Sequence, residues 1–436
     1  MKRLLYFWKE LMATFWFLPV LIICLAILLS VGLVSLDNLI AIPNESWVSF
    51  FLVNSADSAR SILTTISGAM IGVAGTVFSI TLVALTLASS QFGPRLIKNF
   101  MYVRLNQIVL GSYISTYLYA LLVLNSIKDH NGEAFIPSVS ILLAIFATIV
   151  NIILLIVFIH NIAMSIQADK IISDISEFIS KQVESFFPER LDEVEDDESF
   201  DILNAISAFR REFYIKANRG GYLNYIDNES LIEEVSVYDA LFELNHRPGS
   251  YIVKGQTLGV LYSNENIQED EIEKIINQFV FGKTKTPQQN LEYSVHQMVE
   301  IASRALSPGV NDPYTAITCI DNLTSTMSYL VQAKFPSKYR FDQEGNLRLI
   351  ADTVDFEGVL DAAFNQIRQF SAGSTAVIIR LLEALITIFE FTQKEEHKQA
   401  IIKHAKMVLA VGEQNITEKN DINDLNERAK KILNIE

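Results

Sequence analysis

The segment SILTTISGAMIGVAGTVFSITLVALTLASSQFG, residues 61–93, carries no charged side chain and is long enough to cross a lipid bilayer as a helix. It differs from an ordinary membrane helix because small and hydroxylated residues recur along it at helical spacing, while bulkier residues occupy another face. The small, weakly polar stripe consists of Thr65, Gly68, Gly72, Gly75, Thr76, Ser79, Thr86 and Ser90. The sequence therefore predicts a membrane helix with one bulky face and one small face.

Two interpretations of this stripe remain open. Small residues let helices approach closely in lipid, and Gly68 with Gly72 forms a small-xxx-small pair typical of helix packing. In the alternative, the stripe lines a pore in an oligomer, where hydroxyls and backbone face water. No Asp, Glu, Lys or Arg lies deep in any predicted span, which disfavours transport by a proton relay.

The first part of the chain contains four such apolar stretches. They cover residues 11–36, 61–94, 105–127 and 134–168, and His160 is the ionisable residue in the last of them. Residues 1–161 carry eight Lys or Arg and six Asp or Glu, a net charge of +2. The other residues carry 27 and 44, a net charge of −17, and the two parts sum to the −15 of the whole chain. An apolar membrane domain, 1–161, is thus predicted ahead of an acidic, soluble part.

Positive charges near the ends of the spans predict the orientation in the membrane. They cluster before the first span, between the second and third, and after the fourth, whereas the loops 36–60 and 128–137 carry few. Both termini are therefore expected in the cytoplasm of a bacterium, with the spans in its inner membrane. The first span is too long for a cleaved signal peptide and is interpreted as a retained anchor.

The acidic part argues against a nucleic-acid partner, because binding phosphates requires clustered cations. Its first segment, 162–199, is predicted to continue the fourth span as a helix to about residue 187 and then to form an acidic linker. Cys24 and Cys319 lie in different parts of the chain and predict no disulfide. No phosphate-binding loop and no zinc-ligand spacing occurs, so neither a cofactor nor a metal is expected.

Residues 200–266 change to short β-prone runs separated by glycine-containing turns. The pattern resembles the small hairpin sandwich of biotinyl and lipoyl domains. It lacks the modified lysine at the hairpin tip, so it is interpreted as a structural or docking β-module without a covalent cofactor. Together with the helices that follow, it predicts an α+β cytosolic region.

From residue 267 to 436 the pattern is mainly helical. Seven helices are expected at 270–281, 287–306, 313–334, 356–370, 375–392, 396–414 and 422–433, with a β-hairpin at 339–350. The stretch SRALSPGVNDPYTAITCIDNL, residues 303–323, spans the end of the second of these helices, the connection and the start of the third. There Asp312 and Pro313 have the types that begin a helix, as the N-cap residue and the first helical residue. A helix–helix corner explains these signals without a ligand.

The polar residues of this corner allow sharper interpretations. Arg304 can form a buried ion pair with Asp312 or Asp321, or it can join the start of the next helix in a small anion site. A catalytic triad of Ser307, His296 and Asp312 can be drawn, but its spacing matches no known nucleophile turn. No catalytic residue is therefore assigned. The candidate anion site comprises Arg304, Ser307, Gly309, Asn311, Asp312, Thr315 and Asp321.

Three motifs together carry a family resemblance: Ser89–Arg95 after the second span, RPGSYIVKG at 247–255, and SPGVNDPYTA at 307–316. The chain resembles the bacterial membrane-protein family catalogued as domain of unknown function 2254. The resemblance implies four spans ahead of a cytosolic part and leaves the activity open. Where members tend to have an acid, this chain has Asn290.

These observations lead to one leading hypothesis and two alternatives. The chain is expected to be a homo-oligomer in membrane lipid, in which the second span lines an ion conduit gated by the cytosolic region. In the first alternative the spans only anchor and dimerise a sensor or scaffold. In the second, a membrane-bound enzyme uses the corner between Arg304 and Asp321.

Overall fold

A computed structural model describes residues 11–12, 14–39, 55–93, 104–130, 133–165, 167–189 and 202–433 of the chain. Close contacts divide the chain into two units, Met1–Lys170 and Ile171–Glu436, which we call the N-terminal and the C-terminal unit. The N-terminal unit contains the apolar helices, and the C-terminal unit contains the large sheets. The change in composition along the chain thus accompanies a change in fold.

Within its described residues, the N-terminal unit has four helices that are long and apolar enough to cross a membrane. They are α1 (Phe17–Leu39), α2 (Ala56–Phe92), α3 (Arg104–Ser126) and α4 (Ser138–Ser165). The short strands β1 (Asp129–His130) and β2 (Glu133–Ala134) form a hairpin between α3 and α4. Helix α3 packs against each of the other three, which confirms the four predicted spans as one helical assembly.

Two local features position these helices. A Cβ atom on Gly111 would lie 2.9 Å from the Cα of Pro19, so α1 and α3 approach each other at backbone distance. The carboxylate of Asp37 in α1 accepts hydrogen bonds from the backbone amides of Val139 and Ser140, both at 3.0 Å. It caps α4, and this helix accordingly begins at Ser138 rather than at the predicted residue 134.

The predicted continuous helix from the fourth span to residue 187 is wrong. Helix α4 ends at Ser165, where the Gln167 amide donates to the carbonyl of Met164 in a tighter turn. A separate helix, α5 (Ala168–Phe186), then begins and ends just before Pro188, as predicted. Residue 166 and the acidic stretch 190–199 lie outside the described residues.

The C-terminal unit contains two sheets. The strands are β3 (Arg211–Lys216), β4 (Gly221–Ile226), β5 (Leu241–Leu244), β6 (Tyr251–Ile252), β7 (Thr257–Ser263), β8 (Phe279–Gly282), β9 (Tyr339–Phe341) and β10 (Leu347–Ala351). One sheet has the order β3-β7-β5-β10-β9, and the other has the order β6-β4-β8. All pairs are antiparallel except β5 with β10. Apolar residues of both sheets share one core, which includes Phe242 and Phe279.

The predicted β-module 200–266 therefore needs correction. Strands β8, β9 and β10 lie beyond residue 266 and hydrogen-bond into the same two sheets. Between β4 and β5 the chain forms a helix, α7 (Asn228–Val237), which the sandwich resemblance did not predict. A short helix, α6 (Ile202–Ser207), precedes β3. The module does not close on itself, because its central strand β5 needs β10 as a neighbour.

The remaining helices follow the predicted order. They are α8 (Glu269–Ile276), α9 (Leu291–Ala305), α10 (Pro313–Leu330), α11 (Phe356–Phe370), α12 (Thr375–Glu390), α13 (Glu395–Asn415) and α14 (Lys419–Leu433). The helix predicted at 270–281 stops at Ile276, and residues 279–282 become β8 instead. The helix predicted from 287 begins at Leu291, because Asn290 accepts a hydrogen bond from the Tyr293 amide and caps it.

Candidate functional site

Helix α2 packs on the rest of the N-terminal unit through a single face. Buried residues recur along it at the spacing of one helical stripe. They are Ala59, Leu63, Ile66, Ser67, Met70, Ala74, Val77, Thr81, Ala84, Ala88 and Phe92. Six of these eleven residues are Ala, Ser or Thr, so the packed face is not the uniformly bulky face that the sequence predicts. Large side chains of α2 such as Phe78 and Ile80 are exposed instead.

The small-residue stripe lies on the opposite face of α2. At roughly 100° per residue, Gly68, Gly72 and Ser79 point about half a turn away from the buried Met70. All the predicted stripe residues are exposed in the isolated chain, namely Thr65, Gly68, Gly72, Gly75, Thr76, Ser79, Thr86 and Ser90. Within the part of the chain that the structure describes, this stripe therefore does not mediate helix packing.

The stripe consists of small side chains, and its hydroxyl groups form hydrogen bonds within α2. No described atom lies within 4 Å of where a Cβ would stand on Gly68, Gly72 or Gly75. The hydroxyl of Ser79 donates to the carbonyl of Gly75 at 2.9 Å, and that of Thr76 donates to Gly72 at 3.2 Å. Because the hydroxyls bond within their own helix, they can face either lipid or water.

A buried polar network was missed at the sequence level. Asn151 of α4 is fully buried, and its Oδ1 accepts from the Ser112 hydroxyl at 2.6 Å. Its Nδ2 donates to Thr116 Oγ1 at 2.9 Å and contacts Met70 Sδ at 3.6 Å. The Tyr113 hydroxyl donates to the backbone carbonyl of Asn151 at 2.7 Å. The sequence signal for this network was an asparagine near the middle of the fourth predicted span. Its side chain links α4 to α2 and α3.

The corner between α9 and α10 is built by capping, as the sequence predicts. Asp312 accepts from the Thr315 amide at 3.1 Å and from the Thr315 hydroxyl at 2.6 Å. Pro313 is the first residue of α10, and Ser307 donates to the Arg304 carbonyl at 2.6 Å. Asn311 has a φ of 52°, a conformation that asparagine tolerates better than most residues.

Gly309 belongs to this corner without being required by its geometry. It is absent from the positive-φ residues of the described chain, and a Cβ there would meet no described atom within 4 Å. Val310 and Tyr314 beside it are exposed, with Tyr314 at 79%. The corner thus places two apolar side chains on the surface.

Of the two interpretations of Arg304, the ion pair with Asp312 or Asp321 does not form among the described residues. Arg304 contacts Glu300 of its own helix at 3.5 Å. Asp321 instead accepts from Arg380 of α12 at 2.6 Å, and this contact raises the pKa of the Arg380 guanidinium. Arg304 and Asp321 are near each other in the sequence, which suggested an ion pair between them. The cation that pairs with Asp321 comes instead from α12, far along the chain, which packs against α10.

The corner also lacks the arrangement of a catalytic triad. His296 lies nine residues before the end of α9, a distance of about 13 Å along the helix axis. Both carboxylate oxygens of Asp312 are engaged by Thr315, and burial raises the pKa of the nearby Cys319 thiol. The Asp312 carboxylate already accepts from the Thr315 amide at the start of α10. The anion site of this corner therefore stays a prediction, and no contact among the described residues supports it.

Four apolar helices followed by a mixed α and β unit define a membrane protein with a large C-terminal domain. A family model described as predicted membrane protein (DUF2254) matches residues 12–387, and the chain belongs to this family.

Relatives with long matches come from mycobacteria. The uncharacterized protein Rv1290c of Mycobacterium tuberculosis is 29% identical over 370 residues, which is 83% of this chain and 70% of the relative. The uncharacterized protein Mb1321c of Mycobacterium bovis matches with the same identity and coverage. No solved structure matches the chain.

Proposed function

We propose that the chain assembles into a homo-oligomeric ion conduit in the bacterial inner membrane, with both termini in the cytoplasm. The exposed small-residue face of α2 would line the path, and the C-terminal unit would gate it. The single observation that carries the proposal is that this face packs on no described helix of its own chain.

The neighbouring faces of α2 support this arrangement. Large apolar residues flank the stripe on both sides and are themselves exposed: Ile71, Phe78 and Leu82 on one side, and Ile80 and Leu87 on the other. In a ring of protomers these two flanks can pack on adjacent copies, while the stripe between them faces the central axis. Backbone and hydroxyl groups on that axis would meet water rather than lipid.

A membrane-anchored sensor without a pore is the second candidate. It is favoured by the hydrogen bonds of Thr65, Thr76, Ser79 and Thr86, which all donate to carbonyls of α2 itself. Such a stripe needs no water, and it can serve as a close dimer contact.

Cysteine substitution separates the two candidates. Gly72→Cys places a thiol on the stripe, and Ile71→Cys places one at the same depth on the flank, both in a Cys24→Ser, Cys319→Ala background. In liposomes, a conduit predicts an ion conductance that a charged, membrane-impermeant thiol reagent blocks in Gly72→Cys and leaves largely intact in Ile71→Cys. A dimeric anchor predicts disulfide-linked Gly72→Cys pairs and no conductance. Absence of conductance in every variant and in the wild type would reject the conduit.

A further inference from the structure

The C-terminal unit contains a cavity of about 360 Å³ that the conduit does not involve. The last turn of α5, the strands β4 and β5, the start of α9, and the segment after β10 line it. Its walls are largely apolar, formed by Phe186, Phe187, Ile226, Leu244, Leu291 and Val354. The volume lies within the range of about 300–1,000 Å³ that small-molecule sites have.

One cation on this wall lacks a counter-charge. Arg340 of β9 lines the cavity, and among the described residues its guanidinium forms no ion pair and no hydrogen bond. Its partial burial lowers the pKa of the guanidinium. By contrast, the half-buried Arg247 and Arg428 contact carboxylates at 2.7 Å and 2.9 Å.

The other charged groups of the lining do not compensate Arg340. Glu292 is engaged by Arg247 at 2.7 Å, and this pair stands between the cavity and a smaller one of about 130 Å³. Asp352 is exposed and makes no ion pair with Arg340. An uncompensated, partly desolvated cation costs folding free energy, so a bound anion would stabilise the unit.

We propose that this cavity binds a small organic anion, a carboxylate or phosphate ester carried on an apolar body. The anionic group would accept hydrogen bonds from Arg340, whose fork suits carboxylate and phosphate oxygens. The apolar body would lie against Phe187, Leu244 and Leu291. The proposal holds whether or not the chain forms a conduit, because every lining residue belongs to the C-terminal unit.

Isothermal titration of the full-length protein in detergent tests the proposal. The probes are 2-naphthoate, 2-naphthyl phosphate, inorganic phosphate and the neutral 2-naphthalenemethanol. The neutral probe has the same apolar body without the charge, so it controls for partitioning into the micelles. We expect saturable binding of at least one organic anion, at least tenfold tighter than the neutral probe or inorganic phosphate. The organic anion that binds with the higher affinity shows whether the site prefers a carboxylate or a phosphate ester. Equal affinity for the neutral probe, or no saturable binding of either organic anion, would overturn the proposal.

A charge-matched pair of variants assigns the site. Arg340→Gln should weaken the anion at least tenfold, whereas Arg210→Gln removes the same charge from an exposed position outside the cavity and should leave affinity unchanged. Arg340→Gln breaks no ion pair, so its thermal unfolding without ligand should match or exceed the wild type. Wild-type affinity in Arg340→Gln would refute the assignment.

A second variant decides the matter if Arg340→Gln does not fold. Thr353 lies in the segment after β10 and lines the same cavity. Thr353→Trp fills the space while keeping Arg340, and it should abolish binding of both naphthyl anions. Unchanged affinity in Thr353→Trp would place the probes elsewhere and overturn the proposal.

Discussion

Asn151 is fully buried among the apolar helices of the N-terminal unit and uses both ends of its side-chain amide. Its Oδ1 and Nδ2 contact hydroxyls of Ser112 and Thr116 on α3, and its Nδ2 also approaches the sulfur of Met70 on α2. In lipid, an unpaired amide finds no water, so such a residue favours the one helix arrangement that pairs it. A single side chain thus fixes the rotation of three helices about their axes.

Asn151→Leu should destabilise the N-terminal unit by about 0.5–2 kcal/mol, the range for polar contacts between membrane helices. Asn161→Leu on the same helix is the matched control, because the buried Nδ2 of Asn161 has no hydrogen-bond partner among the described residues. Its replacement should be neutral or stabilising. Unfolding in mixed micelles of mild detergent and SDS measures both. Equal losses in the two variants would contradict a specific role for the network.

Gly249, in the RPG stretch that supported the family resemblance, has a structural role and no chemical one. Its φ is 99°, and a Cβ there would overlap the Asn290 side chain. Arg247, two residues earlier, pairs with Glu292 at 2.7 Å. The RPG stretch that supported the family resemblance therefore holds a loop on the start of α9.

At the scale of elements, the corner between α9 and α10 is organised by Asp312. Its carboxylate satisfies the Thr315 amide and hydroxyl at the start of α10. Ala316, Cys319 and Ile320 of that helix are then buried in the core of the C-terminal unit. Capping and burial act together, since the cap fixes where the helix begins and hence which face is covered.

Asp312→Ala should destabilise the C-terminal unit by about 0.5–2 kcal/mol, the usual loss for an N-cap. Asp312→Asn retains an oxygen acceptor and should lose less. Urea unfolding followed by hydrogen exchange in α10 measures the difference. If Asn and Ala are equally destabilising, the carboxylate charge rather than the cap hydrogen bond holds the corner.

Apolar periodicity and helix-capping residues predicted the helices whose limits are set by nearby residues in the sequence. The periodicity of apolar residues gave α11 with its observed ends, and Asp312 with Pro313 gave the start of α10. The parallel pairing of β5 with β10 joins segments about a hundred residues apart, and no local pattern specifies such a register. For the same reason the sequence did not predict the ion-pair partner of Asp321, which tertiary packing brings from another helix. Arg304 pairs within its own helix instead of across the corner.

For the whole molecule, sequence and structure contribute different parts of the candidate site. Spacing alone placed Thr65, Gly68 and Gly72 on one stripe of α2, but it left both helix packing and pore lining open. Among the described residues, α2 packs within the chain through its other face, so no described helix of the same chain covers the stripe. The Arg340 cavity had no sequence signal, because its lining comes from six separate segments of the C-terminal unit.

The stability of the C-terminal unit depends on two neutral histidines. Burial lowers the pKa of His404 from its usual 6.5, although its hydrogen bond to Asp361 and the charge of Asp361 oppose this, and Lys403 and Arg368 lower it further. Burial also lowers the pKa of His397, while its hydrogen bond to the Val331 carbonyl opposes the shift. In the unfolded chain both groups bind protons near pH 6.5, and in the folded unit they do so only at lower pH.

The unit should therefore be most stable above pH 6.5 and lose stability as the pH falls below that value. The slope for the buried His404 is at most about 1.4 kcal/mol per pH unit. Hydrogen exchange of α11 and α13 in the full-length protein, measured between pH 8 and pH 5.5 with rates corrected for intrinsic exchange, reports this loss. His404→Gln retains a donor for Asp361 but does not titrate, so it should show a shallower pH dependence. A slope unchanged by His404→Gln would assign the acid sensitivity to other groups, since Asp342, whose pKa is lowered to about 2, contributes only at much lower pH.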